Sequence, residues 1–249
     1  MNATLVGKVA AEDALEPLFR WMRTAADSDG PLGVAPGLRA TGDGWSTAAE
    51  LATAPHERLG VLIAEAGRRW EAPPHVAAAL WWKHFSYWTV LPVAMGWALN
   101  RRLPVLTAET TMLRTPAAEP RMQIAISELR VATGDVDELG TIIGATLLRD
   151  LHAPLIDALH ALTMTGRRGL WGSVAEALAD PLFSFAGDIL DDPGAAARTL
   201  LESIGEPVAD LVDLPALRRR TCCLWVTLPG GDACPTCCVT ERRNTGAGA

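Results

Sequence analysis

Cysteine is distributed very unevenly along this chain of 249 residues. The first 221 residues contain none, and all five cysteines then fall within the 17 positions from Cys222 to Cys238. The body of the chain must therefore fold without disulfide bonds, by burying apolar side chains. A chain of this length can do so, because folding removes roughly 70–75% of its unfolded surface from water. The cysteines are left to serve a local purpose at one end of the sequence.

The charge balance argues against one broad class of function. The chain has 29 Asp and Glu against 22 Lys and Arg, which gives a formal net charge of −7. Proteins that bind nucleic acid need an electropositive surface, so we predict no nucleic-acid partner. The odd cysteine count and the lack of a secretory signal at the first residues predict a reducing, cytoplasmic location. Clustered thiols in that compartment favour metal or redox chemistry.

The most apolar stretch of the sequence raises the question of a membrane span. Residues 85–99 form a run of 15 residues that contains Pro92. A bilayer needs about 20 apolar residues, so the run is too short. We predict a buried core helix here. The slightly positive mean hydropathy of the chain leaves a loose membrane association open.

Helical periodicity dominates the rest of the chain. We predict helices over residues 5–26, 46–70, 75–99, 139–164, 173–186 and 193–204. Three of these have recognisable starting signals. Ser46 is an expected N-cap, Asp135 and Glu138 have the spacing of a capping box, and Asp192 followed by Pro193 is a typical N-cap and first helical residue.

Strand character is confined to one part of the sequence. Residues 105–114 and 121–131 are rich in β-branched side chains and flank the segment TPAAEP, which predicts an antiparallel hairpin. Residues 27–45 are rich in Gly and Pro and predict a loop, and Pro17 and Pro154 are expected to interrupt their helices. The predicted fold is mainly α with a small β part (α+β): a multi-helix core, one small antiparallel hairpin and a C-terminal cysteine-rich metal-binding lobe.

The domain division follows from the change in composition near Pro207. We assign residues 1–206 to a helical scaffold that would bind a substrate, and residues 207–249 to the cysteine-rich lobe and a polar tail. The tail begins at Glu241.

The cysteine spacing narrows the chemistry of the lobe. Two adjacent cysteines are followed after ten residues by a Cys-x-x-Cys pair and one more cysteine: Cys222, Cys223, Cys234, Cys237 and Cys238. The Gly-rich loop between the two groups lets both face one metal centre. Neighbouring side chains point apart in an extended chain, so adjacent ligands suit a larger cluster better than one tetrahedral ion. We favour an iron–sulfur cluster over zinc, and both over a disulfide or thiols without a ligand.

Basic and aromatic residues around the cysteines are candidates for contacts with a substrate. Arg218, Arg219 and Arg220 would offset an anionic cluster or attract an acidic partner, or they form a solvated basic turn. Trp225 would shield the cluster or line a substrate shelf, although a packing role is the favoured interpretation.

Two other features of the sequence have competing interpretations. The aromatic run at residues 81–88 would suit a bulky iron chelate, but its spacing is that of a helix core face, which we favour. His152 and His160 are spaced with Asp157 as in a carboxylate–histidine metal helix, but only one copy is present, so we predict structural histidines.

Two segments of the sequence resemble one family. Residues 218–238, RRRTCCLWVTLPGGDACPTCC, resemble the C-terminal segment of the FhuF-type ferric-siderophore reductases, which bind a [2Fe–2S] cluster through a Cys-Cys-x10-Cys-x2-Cys arrangement. Residues 170–178, LWGSVAEAL, resemble an LWGN-V-A-x-A-L stretch of that family, with Ser173 in place of the usual Asn. The two matches cover about 30 of the 249 residues.

The resemblance implies a cofactor, a reaction and partners. It implies that Cys222, Cys223, Cys234 and Cys237 bind the cluster, and it leaves Cys238 as a spare thiol or alternative ligand. The implied activity is one-electron reduction of ferric iron in an internalised siderophore, favouring the hydroxamate type. No nucleotide-binding motif is present, so a separate donor such as a ferredoxin or flavoprotein reductase would supply the electron. The alternatives are a structural zinc protein and a siderophore-binding or electron-transfer partner without turnover.

Overall fold

Helices make up most of the structure. A computed structural model describes residues 4–6, 8–115 and 122–239 of the chain. The α-helices within these residues are α1 (Lys8–Asp29), α2 (Ala48–Ala52), α3 (Glu57–Trp70), α4 (Pro74–Asn100), α5 (Val136–Ile143), α6 (Ala153–Thr163), α7 (Arg167–Ser184) and α8 (Pro193–Ile204). The predicted fold class, mainly helical with a small β part, is confirmed.

Helix α4 is the central element of the fold. It is buried along most of its length and packs against α7, α3 and α1. Three of its large side chains, Trp82, Phe85 and Trp97, are at most 1% exposed. The prediction of a buried core helix around residues 85–99 is therefore confirmed. Within the described residues, no helix is long and apolar enough to cross a membrane.

The N-terminal caps follow the sequence closely. Asp135 and Glu138 form a capping box at α5, and the Asp192 carboxylate accepts a hydrogen bond from the Ala195 N–H at the start of α8. At α2 the cap is Thr47 rather than the predicted Ser46. Thr47 and Glu50 form a reciprocal capping box, which Ser46 cannot form because the residue three positions after it is Ala49.

Two predicted helices are interrupted or shortened. The prediction of one helix over residues 46–70 is wrong, because the chain turns between α2 and α3 and His56 takes a left-handed conformation. The first helix begins at Lys8 rather than at residue 5, because strand β1 (Thr4–Val6) pairs with a later strand. Pro17 lies inside α1 without ending it.

The predicted break at Pro154 is also absent. Helix α5 passes through a π-helical segment, Gly144–His152, directly into α6. Pro154 lies in the first turn of α6, where a missing N–H donor is tolerated. Because the π-helical turn is wider, the chain continues from α5 into α6 through Pro154 without a break.

Three small sheets lie around the helices. Strands β1, β7 (Val131–Thr133) and β4 (Arg102–Pro104) form one sheet in that order, with antiparallel pairs. Strands β2 (Val34–Arg39), β6 (Gln123–Ile126), β5 (Thr111–Arg114) and β3 (Ser46–Thr47) form the second. A last antiparallel pair joins β8 (Val212–Asp213) and β9 (Arg218–Arg219).

The predicted hairpin is present, but it is part of a larger sheet. Strands β5 and β6 pair antiparallel, with Met112 opposite Ala125. Residues 116–120 of the predicted connection lie outside the described residues, as does the polar tail from Glu241.

The prediction of a loop over residues 27–45 is wrong in part, because β2 pairs with β6 in parallel. Long-range pairing overrides the local Gly and Pro signal there.

Candidate functional site

The cysteine-rich segment packs on α7 and α4. A short 3₁₀ turn, Trp225–Thr227, contacts α4, while Thr221 and Cys222 lie beside the first turns of α7. None of the five cysteines forms a disulfide. Cys223 and Cys237 are about 95% buried, whereas Cys222, Cys234 and Cys238 are partly exposed. The segment therefore places its thiols between the helical core and solvent.

Turns in the segment bring its two cysteine groups together. The Cys237 N–H donates to the Cys234 carbonyl at 2.9 Å, which closes the Cys-x-x-Cys turn. In the connecting loop, a Cβ on Gly231 would lie only 2.3 Å from the Trp225 carbonyl oxygen. Glycine is therefore required there so that the loop can fold back on itself. This return brings the Cys223 and Cys234 thiols into hydrogen-bonding contact.

Three of the four predicted ligands accept a backbone hydrogen bond at sulfur. The Leu224 N–H donates to Cys222 Sγ at 3.3 Å, and the Val239 N–H donates to Cys237 Sγ at 3.4 Å. The Trp225 N–H donates to the Cys223 sulfur. Thr236 Oγ1 lies 3.6 Å from Cys234 Sγ. Donors directed at sulfur stabilise thiolates, the form in which cysteine binds metals.

The thiols influence the ionisation of one another. The hydrogen bond from Cys223 lowers the pKa of Cys234 to about 5, and Thr236 and Lys83 add to that lowering. The same hydrogen bond, together with burial, raises the pKa of Cys223. Burial and the charges of Cys222 and Cys237 raise the pKa of Cys238. The contact between the two thiols therefore favours the thiolate form of Cys234 over that of Cys223.

A buried carboxylate connects the cysteine segment to the helices. Glu176 of α7 is 7% exposed. It accepts hydrogen bonds from Arg219 Nη1 at 2.9 Å, from Lys83 Nζ of α4, and from Thr236 Oγ1. Because Thr236 lies between Cys234 and Cys237, one carboxylate joins α4, α7 and the Cys-x-x-Cys turn. We call Lys83, Glu176, Arg219, Ser173 and Thr236 the anchor network.

Arg219 is the other centre of the anchor network. Its side chain is 1% exposed, and its Nη2 donates to Ser173 Oγ at 2.9 Å and to the Gly169 carbonyl at 3.3 Å. Its backbone N–H donates to the Thr236 carbonyl at 2.9 Å. The serine that replaces the asparagine of the resembling family therefore has a defined hydrogen bond. The two segments that carried the resemblance pack against each other here.

The three predicted arginines point in different directions, because alternate residues of a strand face opposite sides. Arg219 points into the core, while Arg218 and Arg220 are exposed. Arg220 Nε donates to Asp213 Oδ1 at 2.6 Å, and its Nη1 donates to the Asp210 carbonyl. Trp225 is 38% exposed on the 3₁₀ turn. The surface beside the cysteines therefore carries Arg218, Arg220 and Trp225, and the positive charge beneath it comes from Arg219 and Lys83.

Glu176 and Lys83 were not predicted as site residues. Glu176 occupies the variable position of the LWGSVAEAL segment, and Lys83 lies within the aromatic run. A charged residue within each otherwise apolar helical stretch was the available signal. Their meeting depends on how α4 packs against α7, which periodicity does not reveal.

The predicted structural role of His152 agrees with its surroundings. It lies at the end of the π-helical segment, is fully buried, and packs its ring against Trp82 at a centroid distance of 5.2 Å. Thr89 Oγ1 and His152 Nε2 are 3.0 Å apart. Burial lowers the pKa of His152 to about 3, so the ring stays neutral at physiological pH. Among the described residues, no three or more His, Cys, Asp or Glu side chains form a group that could hold a metal ion.

The donor set of the lobe nevertheless matches the chemistry of a [2Fe–2S] cluster. Such a cluster is held by four cysteine thiolates, two on each iron, rather than by a group around one ion. The lobe has four thiols in two cysteine groups, with hydrogen-bond donors near their sulfurs and cationic side chains below. No protein-family model and no curated protein sequence matches this chain.

Proposed function

We propose that this protein is an iron–sulfur ferric-siderophore reductase of the cytoplasm, with Cys222, Cys223, Cys234 and Cys237 as cluster ligands. The observation that supports it most is that three of these four cysteines accept backbone hydrogen bonds at sulfur and that their segment is joined to the anchor network through Arg219 and Thr236. A bound [2Fe–2S] group supplies one-electron transfer, the stoichiometry needed to reduce Fe³⁺ to Fe²⁺.

The chain's own residues control the environment of the thiolates. The N–H groups of Leu224, Trp225 and Val239 donate to three sulfurs and stabilise negative charge on them. The charges of Lys83 and Arg219 act to lower the pKa of the Cys223 thiol, and the carboxylates of Glu176 and Asp180 beside them offset part of this positive charge. Hydrogen bonds and local charge are the factors by which a protein sets the potential of such a centre.

The substrate in this proposal is the ferric chelate, and the products are ferrous iron and the free siderophore. A ferredoxin or flavoprotein reductase supplies the single electron. Added to Fe³⁺, this electron gives a larger and less charged ion, which the hard oxygen ligands hold less tightly. Trp225 and Arg218, both on the exposed side of the lobe, are the proposed substrate contacts next to the thiols, with Arg220 beside them.

Anaerobic purification tests the cofactor. We expect a red-brown protein with about two irons and two acid-labile sulfides per chain. A colourless protein that carries one zinc would refute the proposal in favour of a structural zinc module.

A second experiment tests turnover. The reduced protein, mixed with a ferric trihydroxamate and a ferrous-specific colorimetric chelator, should release ferrous iron. A stable red-brown protein that releases none would be an electron-transfer or binding partner instead.

A pair of cysteine variants tests the ligand assignment. Cys223→Ser should lose most of the iron and sulfide, because a serine oxygen is a poor substitute for a thiolate at iron. Cys238→Ser is the matched control and should retain both. If Cys223→Ser kept full cluster occupancy the assignment would be wrong, and if Cys238→Ser lost the cluster while Cys237→Ser kept it, Cys238 would be the fourth ligand.

A further inference from the structure

A large cavity lies on the side of α4 that does not contact the anchor network. Its volume is about 550 Å³, and α3 and α4 form its long walls. Pro31, Gly33, Thr115 and Met122 are further described residues of the lining. The cavity is open on one side, and its volume lies within the range of about 300–1,000 Å³ that is typical of small-molecule sites.

The walls of the cavity are aromatic. Trp81, His84 and Trp88 follow one another at helical spacing on one face of α4, and Trp70 of α3 stacks on His84 at a centroid distance of 5.6 Å. A Cβ on Gly33 would lie 2.4 Å from the Trp88 ring, so glycine is required for that indole to lie where it does. Part of the aromatic run is therefore core, as the spacing predicts, and part lines a hollow.

The charges at the cavity favour a ligand of low net charge. Among the described residues of the lining, Glu65 and Arg69, one turn apart on α3, are the carboxylate and the guanidinium, and their charges offset each other. The whole chain is acidic, with a net charge of −7, which repels polyanions. Three singly charged hydroxamates cancel the charge of Fe³⁺, whereas three doubly charged catecholates leave a strongly anionic complex. Apolar indole walls also suit the organic shell of a neutral chelate.

Helix α4 connects this cavity to the cysteine lobe. Successive residues of a helix are turned by about 100°, so Lys83 lies on a different face of α4 from its neighbour His84. Lys83 binds Glu176 and acts on the thiols, while His84 lines the cavity. One helix therefore separates the hollow from the anchor network.

We infer that the cavity between α3 and α4 binds the organic shell of a ferric chelate of low net charge. This inference rests on the proposed function, because it assigns the substrate of that reaction to this cavity in place of the lobe surface at Trp225 and Arg218. It gives the aromatic run at residues 81–88 a second role in addition to core packing.

A redox-inert chelate separates binding from reduction. Gallium(III) has nearly the size and charge of ferric iron but is not reduced under these conditions. We expect calorimetric titration to show the gallium trihydroxamate binding, and the anionic gallium triscatecholate binding more weakly. Leu62→Trp fills the cavity from α3 and should weaken binding by at least about tenfold, the equivalent of about 1.4 kcal/mol.

Val61→Trp is the matched control. It adds the same indole one residue away, at a position that is 57% exposed and outside the cavity lining, and it should leave binding within about twofold. If Leu62→Trp does not fold, as judged by circular dichroism, Trp70→Leu removes one wall and should weaken binding in the same direction. Equal binding by the two α3 variants, no binding by the wild type, or a preference for the catecholate would overturn the inference.

The same variants distinguish this inference from the proposed function. If the gallium complex binds in the cavity but the reduced protein releases no ferrous iron from the ferric complex, the reductase proposal fails and the binding site stands. If ferrous iron is released equally by the wild type and Leu62→Trp, the reductase stands and the cavity is not its substrate site.

Discussion

The helical body and the cysteine lobe are held together by different forces. The body packs large apolar side chains around α4, and Trp82, Phe85 and Trp97 are almost completely buried. Val208, Leu211 and Val212 of the lobe belong to that apolar core, whereas the cysteine segment, residues 219–238, is joined to the helices by hydrogen bonds and ion pairs that converge on Glu176 and Arg219. An apolar core tolerates many substitutions between apolar side chains of similar volume. A buried ionic network is strongly destabilised when any one partner is removed. The lobe should therefore be much more sensitive to single substitutions and to what its thiols bind.

The largest effect is expected from Glu176→Gln. It leaves Arg219 buried without its carboxylate, and breaking a buried ion pair typically costs about 3–5 kcal/mol. Hydrogen–deuterium exchange of the variant and the wild type should be compared. The exchange rate should increase more in peptides covering residues 219–238 than in peptides covering residues 85–99. Asp213→Asn, which removes the exposed partner of Arg220, is the control and should cost less than about 1 kcal/mol.

That result would also test the comparison itself. If Glu176→Gln loosened the helical body and the lobe to the same extent, the two regions would form one cooperative unit, and the contrast between them would be wrong.

A smaller effect is expected at the contact between the two regions. In Gly172→Ala the new Cβ would lie 1.8 Å from Thr221 Oγ1 and 3.0 Å from Thr221 Cβ, so the Thr221 side chain must shift where α7 meets the cysteine segment. We expect a loss of about 1–3 kcal/mol in the free energy of unfolding, measured by chemical denaturation. Gly169→Ala, on the same helix, meets its nearest atom, the Cys222 carbonyl oxygen, only at 3.6 Å and should be neutral or stabilise the helix. Equal losses in the two variants would show that the close contact at Gly172 is not limiting.

The smallest effect concerns the body alone. His152 has a pKa lowered from 6.5 to about 3 by burial, so the unfolded chain takes up a proton below pH 6.5 that the folded chain does not. This penalty is absent above pH 6.5, grows as the pH falls, and reaches about 1.4 kcal/mol one unit below the unfolded pKa. His152→Gln should lack this part of the pH dependence when unfolding is measured between pH 8 and pH 5.5. Identical pH profiles would show that His152 is not protected from protonation.

Much of the helical architecture was predictable because it depends on local signals. Capping residues such as Asp135 and Asp192 act within one turn, and the burial of α4 follows from its composition. The predictions that were wrong failed because contacts between distant parts of the sequence decide those segments. Strands β1 and β2 form by pairing with distant segments, and the π-helical segment accommodates Pro154 through the packing around it. Local propensity is a weak guide where tertiary contacts decide.

The sequence by itself determined that the body is mainly helical and that the thiols are confined to one segment. The cysteine spacing in that segment permits its two cysteine groups to face each other. Only the tertiary structure decided what surrounds those thiols. In the folded chain Arg219 is buried and Arg218 is exposed, and Lys83 and Glu176 form an ion pair beneath the cysteines. The fold also forms a cavity that Trp88 lines. The physical reason is that periodicity shows which residues of a helix are apolar, whereas the packing of α4 against α3 and α7 determines which polar residue meets which partner.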